Sequence, residues 1–484
     1  MSSISPLTYG STENYGRIQA FAGLMQQGDG YNLNLGYAAD GKNFDTSNGV
    51  LTPYTKGSKL QGDLPAPIGT LAALYRRYGD YVEPTLLIAS AGGNLYARVL
   101  GSSDWGNPIY TGLQSDDFDY VTYEVNTWNG QQLAHPVDVL LISNAQDGML
   151  CIRGDNMSVA EVNTPKKFGV LARHAERIWG SGIEGEPDLL VYSAPYDPFN
   201  WEPNSEIPED GAGDIVQPSW DGDSFVALRP FGSQLIAFKR HRVWRILGTD
   251  PGTYIMKEQY GGGAVAENTI AVNGDYILML GETGIMMYDG SDVSPFRQEA
   301  VRHIMRRMNR LAIKKACATI HDNRYYLALP LDGSMVNNAV LVYNIPEQTF
   351  NLIEGVSARA FLDMYSELLY TSDTTPSSVW STRDGDVLPV HWHSTWQDNL
   401  LKNVSKTAFE VLLASSETAE IRLGIRTENR LKSKQILLQA GHQKRVRLSN
   451  KGRRWRLEID SAPGETARWA LIGGVQIMME LDYD

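Results

Sequence analysis

Along most of the chain the apolar residues come in short runs and not in helical stripes. From about residue 66 to 394 one unit returns: a β-branched or aromatic run, a turn, a second such run, then a polar loop. Its seven copies are TLLIASAGGNLYARVLG, DVLLISNAQDGMLCIRG, ERIWGSGIEGEPDLLVYSAP, QLIAFKRHRVWRILG, DYILMLGETGIMMYDG, RYYLALPLDGSMVNNAVLVYN and ELLYTSDTTPSSVWSTRDG, starting at Thr85, Asp138, Glu176, Gln234, Asp275, Arg324 and Glu367. Over the 282 residues from Thr85 to Glu367 the six steps average 47 residues. A period of roughly 40–50 residues built from short strands predicts a β-propeller, here of about seven blades, over residues 66–394. A four-stranded unit cannot bury both faces alone, whereas radial stacking buries each face on the next unit. Strand-like runs at 224–228, 269–272, 316–320 and 358–362 precede four of the copies and supply the inner strand of each blade. A pair of ordinary β-sandwiches is the competing all-β arrangement, because its strands also recur at short intervals.

Three segments break the pattern. Residues 1–65 are polar and Gly/Asn-rich, with turn signals at Asp40-Gly41 and Asn48-Gly49, and predict an N-terminal extended arm carrying one or two strands. Within 296–315, Val301, Ile304, Met305, Met308, Leu311 and Ala312 follow helical spacing, so one amphipathic helix is expected to be inserted among the blades. In residues 395–484, AEIRLGIRTE, KRVRLSN, RRWRLEID and WALIGGVQIMMELDYD alternate apolar and charged positions with period two. That alternation predicts half-buried antiparallel strands and a C-terminal β-sandwich, with the boundary near 391–403.

Composition narrows the class. The chain has 484 residues, 42% of them hydrophobic, so it supports more than one core. The net charge is −13, which argues against binding nucleic acid by bulk electrostatics. Residues 401–484 hold 15 Lys and Arg against 10 Asp and Glu, a balance of +5, leaving −18 on residues 1–400. Such polarity suits docking on a partner of opposite sign. Cys151 and Cys317 have no CxxC partner, which speaks against a zinc knuckle or a disulfide scaffold. The first residues lack the basic start and apolar stretch of a signal peptide, and no apolar run reaches membrane-spanning length. Synthesis and folding in a cytoplasm are therefore expected.

Candidate chemistry is sparse. No Walker A, GxSxG, HExxH or EF-hand pattern occurs. Gly261-Gly262-Gly263 lacks the following Lys-Ser/Thr of a phosphate loop and is expected to be an inter-blade turn. His391 and His393 share one face of a strand, a possible metal pair for which spacing names no third ligand, and a structural role is expected. Asp116, Asp117 and Asp119 read as a solvated acidic loop, and Arg153-Gly154-Asp155 as a chance turn. Tyr192, Tyr196 and Trp201 are candidate glycan-stacking rings. The densest basic positions are Arg302, Arg306, Arg307 and Arg310, followed by Arg453 and Arg454, and these are the candidate partner-docking residues. No catalytic constellation, metal or cofactor is expected, so the chain is not expected to be an enzyme.

A family resemblance enters at DLLVYSAPYDPFNWEP, GAGDIVQPSW and FVALRPFGSQLIAFKRHRVWRILG. These stretches look like a block of bacteriophage virion proteins, the packaged-DNA stabilisation and tail-hub group of podophages. Here the block is carried by Asp197, Pro198, Trp201, Gly213, Asp214, Ile215, Lys239, Val243, Trp244 and Ile246. The stretch NLNLGYAADGKNFDTSNGVLTPYTKG is similar to the arm that opens such proteins, and GRRWRLEIDSAPGETARWALIGGVQIMMELDYD to their closing strand pair. The resemblance implies a structural virion component at the neck, tail or tail hub, joining portal-vertex and tail proteins and helping to retain packaged DNA. It implies copies arranged in a symmetric ring, other virion proteins as partners, proximity to packaged DNA, and no membrane span. A tail-borne adhesin for a host surface polysaccharide is the alternative, and a glycan-active propeller enzyme a third possibility.

Overall fold

A computed structural model describes residues 14–26, 34–78, 81–218, 222–364, 366–398 and 405–482. The remainder of the expected arm, 1–13 and 27–33, lies outside the described residues.

The protein is all-β, with many four-stranded antiparallel sheets in a propeller-like arrangement. Among the described residues seven consecutive antiparallel meanders occupy 68–111, 119–162, 170–216, 227–259, 271–295, 317–354 and 358–381. The seven recurring hairpins fall on the second and third strands of these sheets, for example Gln234–Phe238 with Val243–Leu247. The four extra runs supply first strands, as in Cys317–His321 and Ala358–Met364.

The reason lies in the second strands. Leu140 and Ile142 pack with Leu74 and Ile88 of the first meander, while Val139 and Leu141 pack with Leu171 and Ile178 of the third. Likewise Ile236 and Phe238 meet Ile277 and Met279, whereas Leu278 and Leu280 meet Leu327 and Leu341. Successive side chains of a strand point to opposite faces, so a strand buried on both faces reads as a continuous apolar run. The last meander packs on the first through Leu362, Leu369 and Val379 against Leu71, Leu87 and Ala89.

The seventh meander has only three strands of its own. Its outer strand is Ser58–Lys59, which pairs with Val379–Ser381 in the register Trp380 to Lys59 and Ser381 to Ser58. The neighbouring backbones meet at Gly57 and Gly385, both at positive φ (91° and 83°), and a Cβ on Gly385 would sit 1.9 Å from the Gly57 carbonyl oxygen. Only glycine fits such a crossing without strain.

The C-terminal region contributes two further sheets. One runs in the order Asn14–Ile18, Leu471–Asp482, Ser405–Ser415, Gln443–Gly452. The other runs Ala38–Lys42, His391–Ser394, Trp455–Ser461, Ala419–Thr427, Leu431–Leu438. The alternation predicted from sequence is realised: Val411, Leu413, Ile477 and Met479 from the first sheet and Trp392, Leu423, Leu457 and Ile459 from the second share one buried cluster. The strands nearest the N-terminus are thus built into these sheets and the seventh meander. Phe21 stacks edge-on against Trp392 at 5.0 Å, and Leu24 bridges to Phe350 of the sixth meander.

The expected helix over 296–315 is corrected by the structure. A helical segment of six residues, Arg302–Arg307, follows a 3-10 turn at Gln298–Val301, and Met308 is extended. Pairing with 330–332 ends the helix: Met308 bridges to Leu331, Asn309 N–H donates to the Pro330 carbonyl, and Asn309 Oδ1 accepts from Leu311 N–H. A side-chain oxygen competing for backbone donors and a sheet-like partner together override the periodicity. Leu311, assigned to the apolar face, is 89% exposed. No helix of the described residues is long and apolar enough to cross a membrane.

Gly385→Ala is expected to lower stability by about 1–3 kcal/mol, the scale of forced backbone strain. A thermal midpoint equal to that of wild type would show that the Gly57–Gly385 crossing does not hold the seventh meander closed.

Candidate functional site

The basic positions singled out by sequence divide into two kinds. Arg302 and Arg306 are exposed on the short helix, and neither has a hydrogen-bond or ion-pair partner among the described residues. Arg307 is instead an internal clamp. Its guanidinium meets Asp332 and Glu354, each at 2.7 Å, and Lys42 from the N-terminal strand reaches the other Glu354 oxygen at 2.7 Å. Burial works to raise the Glu354 pKa, but Lys42 and Arg307 outweigh it and hold the carboxyl below its usual range. Arg310 donates to the Glu282 carbonyl at 2.6 Å. Arg453 and Arg454 are exposed, and their backbone N–H groups both donate to the Glu428 carboxylate at 2.6 and 3.0 Å.

The aromatic candidates also separate. Tyr192 is buried with its ring against Trp179 (4.9 Å) and Tyr254 (5.3 Å), so it offers no face to a glycan. Trp201 is 7% exposed, lies 5.1 Å from Phe168, and donates its indole N–H to the Pro198 carbonyl. Tyr196 is 76% exposed. Trp201 does line a cleft of about 640 Å³, with Lys166, Glu186, Asp188 and Asp214 on its walls.

The resemblance block is mostly framework. Lys239 is fully buried, ion-paired to Asp188 of the preceding meander, with its ammonium 4.5 Å from the Phe225 ring centroid and 5.3 Å from that of Trp244. Asp197 Oδ1 accepts the Phe199 N–H, and a Cβ on Gly213 would lie 2.4 Å from the Tyr192 hydroxyl. Val243 and Ile246 are fully buried. These residues join the third meander to the fourth.

Sequence reasoning missed a charged cluster where the first strands converge. Asp119, opening the second meander, lies 3.7 Å from Arg229 of the fourth and accepts the Leu171 N–H of the third. Arg359 of the seventh lies 3.8 Å from Asp117, and His321 of the sixth is 2.6 Å from Asp363 of the seventh. An ion pair that skips a meander requires the innermost strands to face a common axis. Glu267, solvent-accessible between those strands, has its carboxyl raised first by desolvation and then by the charge of Asp119. The signal was present: each of Arg229, His321 and Asp363 lies at or near the end of a run already assigned to an inner strand, where charge has no place in a packed face.

The remaining candidates resolve simply. Gly261 and Gly262 adopt positive φ (110° and 120°) and turn between the fourth and fifth meanders. Arg153 is ion-paired to Asp155 at 2.5 Å, closing that tripeptide on itself. Cys151 and Cys317 are buried free thiols whose pKa values burial pushes up. His391 and His393 stand beside Asp40, with the donor atoms of all three within 4.8 Å of one another.

No family model matches the chain, and no curated protein matches it. Among solved structures it is similar to the Neurospora crassa Pan2 WD40 domain, with 10% identity over 67% of this chain and 95% of that one, at a TM-score of 0.40. It is also similar to BBS1N from a complex with ARL6DN, with 9% identity over 67% of this chain and 96% of that one, at a TM-score of 0.39.

Asp188→Asn, which removes a carboxylate from beside the fully buried Lys239, is expected to destabilise the fold, and Lys239→Met clearly less. Equal, small losses in chemical denaturation would contradict the buried-pair account. The carboxyl of Glu354 is depressed on folding, so its contribution is present above the unfolded value of about 4.3 and is lost as pH falls below it. The pairs are partly exposed, worth about 0.2–1 kcal/mol each. The melting temperature of Glu354→Gln is therefore expected to fall less steeply below pH ~4.3 than that of wild type, and parallel curves would refute the clamp.

Proposed function

We propose that this chain is a structural component of a bacteriophage particle at the neck, tail or tail hub, where it joins portal-vertex and tail proteins, helps to retain packaged DNA and performs no catalysis. In this reading the seven meanders are the blades of one closed propeller, the two C-terminal sheets are a β-sandwich packed beside it, and copies stand in a symmetric ring in the virion. The phage assignment draws on the resemblance block, and the docking role on one structural observation. Arg302 and Arg306 project from the short helix with no side-chain partner among the described residues, and Leu311, later in the same segment, is 89% exposed. Exposed cations without internal countercharges, beside exposed apolar surface, suit a contact with an acidic neighbouring protein. The other two arginines of that segment are engaged internally, Arg307 by Asp332 and Glu354 and Arg310 by the Glu282 carbonyl. A rigid disc suits this role, since docking loses little conformational entropy when the surface is already ordered.

The polysaccharide-binding alternative has the cleft beside Trp201 in its favour. Its tryptophan is nearly covered by protein, however, and stacking on a sugar needs an open ring face.

The double variant Arg302→Glu, Arg306→Glu is expected to fold with an unchanged thermal midpoint and to enter particles at a level reduced roughly tenfold, the effect of about 1.4 kcal/mol of lost contact. Particles assembled with a normal complement of the variant would remove the docking role from this surface.

A further inference from the structure

The five-stranded sheet carries on its outer face a cluster that the structural role does not use. His391 and His393 alternate with Trp392, which is fully buried, so both imidazoles lie on the face away from the core. On one side the strand Ala38–Lys42 places Asp40 opposite His393. On the other side Trp455–Ser461 places Asp460 opposite His391 and Glu458 opposite His393. Three strands thus bring two imidazoles and three carboxylates to one spot.

The hydrogen bonding assigns unequal roles. His391 Nδ1 is 2.6 Å from Asp460 Oδ1, which orients the ring and leaves Nε2 facing Asp40, 3.9 Å from its Oδ2. A carboxylate behind a histidine is the usual support for a metal-binding imidazole. His393 is 5% exposed, yet neither ring nitrogen makes a well-formed hydrogen bond: Nε2 lies 3.4 Å from Asp460, a long and weak contact, and Nδ1 3.6 Å from Glu458. A buried imidazole with no hydrogen bond is costly unless something else satisfies it. Glu458 and Asp460 are already matched by Arg426, Arg456 and Arg422. Among the described residues the only ionisable partner within ion-pair distance of Asp40 is His391, and no Lys or Arg lies there.

We propose that Asp40, His391 and His393 form a binding site for a divalent transition cation of the zinc class. Two nitrogen donors and one carboxylate oxygen match zinc, whereas calcium and magnesium favour all-oxygen sets. In a tetrahedral site the donors stand roughly 3.4 Å apart. The present spread of up to 4.8 Å closes by side-chain rotation, chiefly of Asp40, whose side chain is 66% exposed. The cation staples the strand containing Asp40 to the strand 391–394, fixing the N-terminal region to the C-terminal sheets. The site does not depend on the virion assignment.

The test uses the full chain freed of metal with a chelator, titrated with Zn²⁺ by calorimetry and with Co²⁺ by visible absorption, with Mg²⁺ as control. One Zn²⁺ per chain is expected, with a tetrahedral-type Co²⁺ spectrum, a higher melting temperature on Zn²⁺ addition and no response to Mg²⁺. Asp40→Ala sits on the surface and leaves the core intact; it and His391→Ala are expected to weaken Zn²⁺ binding tenfold or more, while Asp384→Ala, at an exposed loop carboxylate, leaves it unchanged. Absence of saturable one-to-one binding overturns the proposal. So does binding that Asp40→Ala and His391→Ala both leave intact, since the ion then sits elsewhere.

Discussion

The architecture rests on a single packing constraint: each meander has two apolar faces, and each face must be covered by a different neighbour. Leu140 and Leu141 are adjacent in sequence, yet one belongs to the core shared with the first meander and the other to the core shared with the third. Every sheet is thereby a partner in two cores, and a linear stack would leave one face bare at each end. Joining last to first, through Leu362 and Leu369 against Leu71 and Leu87, removes both bare faces at once. At about 25 cal/mol per Å² of apolar surface, leaving such an interface open would cost more than any of the surface ion pairs can return. The outer strand Ser58–Lys59 then completes a sheet that is otherwise one strand short.

This constraint explains what the sequence disclosed and what it hid. Strands buried on both faces appear as runs such as VLLIS and YILML, so the seven hairpins were legible and their starts fell close to the second strands found. Strands buried on one face alternate, as in AEIRLGIRTE, so the C-terminal sheets were legible too. One or two strands were expected in the N-terminal arm, but they could not be located, because Ala38–Lys42 and Ser58–Lys59 take their order from partners more than 300 residues away. Nothing local distinguishes AADGK from a loop. The helix over 296–315 failed for the converse reason. Its local pattern was good, but Met308 and Asn309 found partners at 330–331 that a helix would have forfeited.

The candidate site shows the same division. Residue type and spacing placed the arginines on one segment, but only the fold separates Arg302 and Arg306, which face solvent, from Arg307, which binds Asp332 and Glu354. The aromatic residues of the resemblance block looked like a ligand platform in sequence. In the structure Tyr192 and Trp201 are core, and Lys239 is a buried cation held between rings and a carboxylate. The motif therefore marks a junction between two meanders. Charge at the ends of the inner-strand runs was visible, but the pairings Asp119–Arg229 and Asp117–Arg359 were not, because they join residues far apart in sequence that only the fold brings together.

The N-terminal segment is shared among several parts of the molecule. Residues 14–18 and 38–42 belong to the two C-terminal sheets, Phe21 and Leu24 lie against Trp392 and the sixth meander, Lys42 reaches Glu354, and 58–59 finish the seventh meander. Among the described residues this one part of the chain thus ties together the two C-terminal sheets, the sixth meander and the seventh. A force applied to the C-terminal sheets is carried in part through this paired backbone and its neighbours into the sixth and seventh meanders. Strand pairing loaded along the strand must break several hydrogen bonds together, so such a tie resists shear better than isolated side-chain contacts of similar area would. The contacts of Lys42 with Glu354 and of Asp40 with His391 lie along this same tie, so side-chain links between distant parts of the chain reinforce the paired backbone there.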